Sequence, residues 1–150
     1  MTHKSYTNRA ALTRWLLTDC IEQQLKMAML KDLTTRSNGR SMALTHYLIC
    51  LGLELLLKSA YVAYDGPTHK KQLLKIGHDL VLALEEAEKH GFNSKAPRIR
   101  EITQILREPY MAHYFRYDRP EEIPLPDFVQ MVEALQILDG ELENIFYTAA

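Results

Sequence analysis

The stretch that decides the fold is Tyr47-Leu48-Ile49-Cys50-Leu51-Gly52-Leu53-Glu54-Leu55-Leu56-Leu57-Lys58, the middle of a run from about Ser41 to Tyr64. Apolar side chains there fall on almost every side of a helical wheel instead of alternating. The run therefore reads as a helix buried nearly all round, at the centre of a bundle. Glu54 and Lys58 interrupt the most membrane-like segment, Met42 to Tyr64, and a charge at mid-span is expensive in lipid. They stand four apart, the spacing at which helical charges pair. An ion pair that lets a buried helix carry both charges is the first reading, because buried charges need partners for stability alone. A polar network that orients a site is the other.

Outward from this helix, the punctuation falls at Ser37-Asn38-Gly39, Asp65-Gly66-Pro67, Gly77-His78-Asp79, Gly91 to Ser94, Pro109, and Pro120 to Pro126. Between these breaks the apolar spacing is helical and no strand is expected. A first helix is predicted from the cap Asn8 to about Leu30, with Leu12, Trp15, Leu16, Ile21, Leu25 and Ala28 near one face. A helix opening at Asp79 and closing at Gly91 turns Leu80, Leu84 and Ala87 inward and Glu85, Glu86 and Glu88 outward. Another covers roughly Pro97 to Leu106. It is expected to break or bend near Pro109, since Glu108 precedes a proline and is disfavoured in the α region. A short helical piece, Pro109 to about Tyr117, should follow. The last helix runs from Pro126 to about Phe146, with Phe128, Met131, Leu135, Leu138, Leu142 and Ile145 in steps of three and four, and Gly140 as its weak point. The fold class is all-α: one domain over residues 1–150, a four- to five-helix, mostly antiparallel bundle. Apolar excess on the second and last helices fits either the core or a dimer face.

Composition agrees. The chain has 150 residues, 47% of them hydrophobic, enough for a core without disulfide or metal staples. Its two cysteines, Cys20 and Cys50, sit in apolar stretches and read as small buried hydrophobes in a reducing compartment. Met1 to Arg9 is polar and does not resemble a secretory leader. A soluble, cytoplasmic protein is expected, with no membrane association. The net charge of −1 hides an asymmetry: residues 95–119 carry six Lys+Arg against three acids, and residues 120–150 carry seven acids and no Lys or Arg. A basic segment beside an acidic one sets a local field that the total conceals.

Several chemistries lack their motifs. The six histidines are scattered, with no His-Glu-x-x-His and no paired Glu-x-x-His, so no metal is expected. Phosphate-binding glycine loops are missing too, so neither a nucleotide hydrolase nor a dinucleotide cofactor is indicated, and no cofactor is assigned. His78 reads as a side chain packing over the start of a helix. The segment Arg107-Glu108-Pro109-Tyr110-Met111-Ala112-His113-Tyr114-Phe115-Arg116-Tyr117 is different, with two Arg, one His and three Tyr beside an expected break. Residues six apart on one helix do not converge. A bend at Pro109 would bring the Arg107 guanidinium and the His113 imidazole to a common cleft. A guanidinium neutralises charge building on a phosphate, and an imidazole moves a proton to or from a hydroxyl near neutral pH. Tyr110, Tyr114 and Tyr117, with Arg116, are the candidate substrate-binding residues, stacking on unpaired bases and meeting phosphate; the other reading is a solvated turn with its aromatics tucked into the core.

With these residues in view, the chain resembles the HEPN superfamily, the all-α domain of prokaryotic toxins, defence nucleases and related binding modules. Leu53-Glu54-Leu55-Leu56-Leu57-Lys58 followed by Gly66 looks like the family's apolar helix. Gly77-His78-Asp79-Leu80 looks like the His-Asp/Asn-Leu that often opens the next one, and Arg107 to His113 fits the signature of Arg, four to six residues, then His. The resemblance spans about residues 42 to 117. It implies a metal-independent endoribonuclease of toxin or defence type, acting as a homodimer whose Arg-His motifs form one composite cleft. Carried over by position, Arg107 would bind the scissile phosphate and His113 would act as general acid/base toward the 2′-hydroxyl. The products would be a 2′,3′-cyclic phosphate and a 5′-hydroxyl. The implied partners are RNA, a second copy and a cognate antitoxin or other protein. Three positions depart from the pattern: Glu108 stands where a small polar residue often follows the Arg, Pro109 lies unusually inside the motif, and Phe115 stands where one toxin branch has Tyr. The alternative is a non-catalytic module of the same superfamily that dimerises and binds a partner protein or nucleotide.

Overall fold

The computed structural model describes residues 39–65, 69–113 and 125–148, with side chains described for 46–64, 71–113 and 125–144. Among the described residues there are five helices and no strand: α1 (Gly39–Asp65), α2 (His69–Ile76), α3 (Leu80–Lys89), α4 (Ile99–Met111) and α5 (Phe128–Thr148). The protein is all-α, as the periodicity requires. The helix predicted from Asn8 to Leu30, and Cys20 with it, lies outside the described residues.

The centre is α1. Ile49, Cys50, Leu53, Leu56, Leu57, Ala60 and Tyr61 are all buried, and α2, α3, α4 and α5 each touch this helix. The segment His46–Tyr64 is long and apolar enough by length and composition to cross a membrane, but most of it is buried against the other helices. Cys50 is a free thiol, pushed far up in pKa by burial and then by the neighbouring charge of Glu54. It therefore stays protonated and packs as a small apolar group.

α3 lies against one side of α1 and α5 against another, while α4 packs on α3. The start of α3 is fixed by Asp79, whose Oδ1 accepts from the Leu82 amide at 3.1 Å. This occupies one of the donors that a helix start leaves open. Its end is a Schellman turn: the Phe92 amide reaches the Ala87 carbonyl at 3.0 Å, the Gly91 amide reaches that of Glu88 at 3.0 Å, and Gly91 sits at φ +110°. α5 opens at Asp127, whose Oδ2 accepts from the Gln130 amide at 3.2 Å. It buries Met131, Leu135, Leu138 and Leu142, with Val132 and Ala134 between them. Much of the described apolar surface of α1 and α5 lies in the chain's own core, while Val129 of α5 stands 65% exposed. Glu141 ties the 93–96 connection to α5, accepting from Ser94 Oγ at 2.7 Å and from the Lys95 amide at 3.1 Å.

Two expectations need correction. A helix, α2, occupies His69–Ile76, where none is predicted. It turns Leu73 and Ile76 toward the core and leaves Leu74 exposed. And α4 does not break at Pro109 but runs through it to Met111. Proline there removes a single backbone bond close to the helix end, while the inward row Ile102, Leu106 and Tyr110 continues across it. The chain leaves the helix at Ala112 and His113 instead. The predicted piece beyond residue 113 lies outside the described residues.

Candidate active site

Glu54 is the polar centre of the fold. It is 4% exposed in the middle of α1 and accepts from three side chains on three elements. Lys58 Nζ donates to its Oε1 at 2.7 Å, one turn along α1. His78 Nδ1, from the turn between α2 and α3, lies 3.1 Å from both carboxylate oxygens. The Tyr110 hydroxyl, from α4, donates to Oε2. Burial on its own raises the pKa of this carboxyl. The hydrogen bonds from Lys58, Tyr110 and His78 and the charge of Lys58 outweigh burial and hold it below the usual carboxylate range. The Tyr110 hydroxyl is pushed well above its ordinary pKa by burial and by its bond to Glu54, so it remains a donor.

A carboxylate can only accept, so the bridging proton sits on His78 Nδ1 and Nε2 is the ring nitrogen that points away from Glu54. The His78 side chain is 58% exposed, so this imidazole is anchored in the core at one nitrogen and wet at the other. Its position follows from the local sequence. Gly77 adopts φ +56° to close α2, with its amide on the Leu73 carbonyl at 3.2 Å, and Asp79 is committed to capping α3. His78 is held between those two constraints.

The same turn gathers the two residues carried over as catalytic. Asp79 Oδ2 accepts from an Arg107 terminal nitrogen at 2.8 Å, and the His78 ring lies 6.1 Å from the His113 ring, centroid to centroid. The Arg107 side chain is 48% exposed. Among the described residues its one hydrogen-bond partner is Asp79. His113 adopts φ +57° just past the α4 cap, a left-handed conformation uncommon for a non-glycine residue. That reversal at the helix end accompanies the placing of its imidazole beside His78. Glu108 is exposed next to Arg107.

The tyrosines do not act as a set. Tyr110 is 3% exposed, on the inward row of α4 one turn past Leu106, with its edge toward His78 at 5.6 Å. It cannot stack on a base from there, and its expected role in substrate binding is replaced by donation to Glu54. Tyr114, Arg116 and Tyr117 lie outside the described residues. Among the described residues no three His, Cys, Asp or Glu side chains are grouped to hold a metal ion.

The residue that the sequence reading passed over is His78, which does not simply pack over a helix start. Its signal was the carboxylate: a buried Glu offers about four acceptor positions, and Lys58 on the same helix fills one. The remainder had to be met from elsewhere in the chain, and His78 and Tyr110 meet it. The Glu54–Lys58 pair is thus both an ion pair and the root of a network. The chain matches no protein-family model, no curated protein and no solved structure.

Proposed function

We propose that this chain is a metal-independent endoribonuclease of HEPN type, cytoplasmic, and working as a homodimer whose Arg107–His113 segments form one composite cleft. The observation that carries the reading is the pair of imidazoles, His78 and His113, 6.1 Å apart beside a half-exposed Arg107. Cleavage of RNA by its own 2′-hydroxyl needs a base on one side of a phosphate, an acid on the other, and positive charge between them. His113 takes the 2′-hydroxyl proton as the oxygen attacks phosphorus. Arg107 offsets the charge that builds on the phosphoryl oxygens. His78, held through Nδ1 by the Glu54 carboxylate, gives its Nε2 proton to the departing 5′-oxygen. The products are a 2′,3′-cyclic phosphate and a 5′-hydroxyl.

The test is cleavage of mixed cellular RNA by purified protein in EDTA. His113→Asn and His78→Asn are the controls, asparagine being a residue that tolerates the left-handed backbone of position 113. Wild-type cleavage that survives chelation and falls at least a hundredfold in both variants supports the reading. An inactive wild type, or a His113→Asn protein that cuts at the wild-type rate, overturns it.

A second reading rests on the Arg107–Asp79 pair, which partly neutralises the guanidinium. In that reading the domain is a non-catalytic HEPN module whose surface takes a protein partner, such as a cognate antitoxin, or a nucleotide. Asp79→Asn separates the two, because asparagine keeps the α3 cap and releases Arg107. Tighter RNA binding by that variant favours the nuclease, and unchanged RNA binding favours the module.

A further inference from the structure

A groove of about 360 Å³ runs between α2 and the far half of α3, floored by Tyr61 of α1. Lys71 and Lys75, four apart on one face of α2, line one wall, and Lys89 and His90 at the end of α3 line the other, with Glu86 as the single acid. All three lysines are exposed, and among the described residues none of them forms an ion pair. This contrasts with the other cations near α3: Arg100 is paired to Glu88 at 2.6 Å and Arg107 to Asp79 at 2.8 Å. Lysines in last turns also complement helix dipoles, which accounts for Lys75 and Lys89 singly. It does not account for Lys71, nor for cations from two helices converging on one concavity.

Part of the groove's lining is held in place. The His90 Nδ1 bonds to the Glu86 carbonyl at 2.9 Å, and its ring stands edge-on to Tyr61 at 5.0 Å, so the floor and one wall are locked together. Tyr61 is buried and offers no face for a base to stack on. The lysines provide point charges instead of the planar fork that reads a particular carboxylate or base. Such a surface suits phosphate oxygens, whatever the attached bases.

We propose that this groove binds the phosphate chain of single-stranded RNA, as an anchoring site separate from the Arg107–His113 cleft. On α1 the two sites are centred seven residues apart, at Tyr61 and Glu54, which is about 10 Å along the helix axis. The proposal rests on RNA as the ligand of this chain but does not require that the cleft cut it.

The experiment is equilibrium binding of a labelled, uncleavable 2′-O-methyl RNA to the full chain across a range of salt concentrations. It compares wild type with Lys71→Gln/Lys75→Gln/Lys89→Gln, the matched arginine triple variant, and a Lys95→Gln/Arg98→Gln control outside the groove. The glutamine triple variant should bind at least tenfold more weakly at low salt, with a salt slope shallower by about 2, three contacts at roughly 0.7 each on a single strand. The arginine variant should restore both. Unchanged affinity and slope in the glutamine variant, or an equal loss in the control, overturns the proposal. So does inorganic tripolyphosphate binding the wild type as tightly as the oligonucleotide, which would make the groove a site for small polyphosphates. Failure here and failure of the nuclease reading are distinguishable. A chain that never cuts still shows lysine-dependent binding if the groove is real, and a chain that cuts with unchanged binding keeps the cleft and loses the groove.

Discussion

The seam between α1 and α5 and the junction of α1, the Gly77–Asp79 turn and the end of α4 solve opposite problems with the same central helix. In the seam, Leu53, Leu57, Leu135, Leu138 and Leu142 are almost wholly buried, and non-directional apolar contact is what stabilises it. At the junction a carboxylate is equally buried, and the arrangement tolerates it only because Lys58, His78 and Tyr110 all donate to it. The seam accepts any well-fitting apolar set. The junction requires specific atoms at specific places, so a polar substitution partner cannot be exchanged without orphaning another. The candidate site lies where that second requirement holds.

The comparison can be broken most strongly from the seam. Leu138→Ala deletes a fully buried side chain and should cost roughly 2–5 kcal/mol, read as a lower urea midpoint with RNA binding per folded molecule unchanged. At the junction, Glu54→Gln keeps the volume but weakens three charge-assisted bonds, at a cost of about 2 kcal/mol. The acid response sharpens this. The Glu54 carboxyl titrates lower in the fold than in the unfolded chain, so its stabilisation is complete above the unfolded glutamate pKa of about 4.3 and is lost as pH falls through the folded value. Urea midpoints measured from pH 7 down to pH 3 should therefore fall more steeply for wild type than for Glu54→Gln. Parallel curves would mean the network does not hold the charge. Asp79→Ala should cost about 1 kcal/mol through the lost cap, with Asp79→Asn near neutral because the partly exposed Arg107 pair is worth little in water. The smallest effect has the opposite sign. Among the described residues a Cβ at Gly140 in α5 meets no atom within 4 Å, so Gly140→Ala should raise stability by roughly 0.5–1 kcal/mol in a thermal melt.

What could be read without coordinates follows from how local each cause is. α3 is legible to the residue because Asp79 and Gly91 carry their own cap chemistry, and α1 and α5 because their apolar spacing is long and strong. α2 escapes because its eight residues present only Leu73 and Ile76 to the core, too few for a period to show. The passage of α4 through Pro109 depends on tertiary burial of Leu106 and Tyr110, which overrides a local preference. Arg107 and His113 were visible as residue types at a spacing. Their gathering on one turn was not, because the Glu54–His78 bond that anchors it joins residues 24 positions apart.

Asp79 does two jobs with two oxygens, Oδ1 on the Leu82 amide and Oδ2 on Arg107. A phosphate that takes Arg107 away leaves the carboxylate with the helix start alone, free to rotate and share its cap differently. If the proposed cleft binds phosphate, protection of the Leu82 amide against deuterium exchange should change with its occupancy. That one backbone hydrogen would then report whether the arginine is engaged.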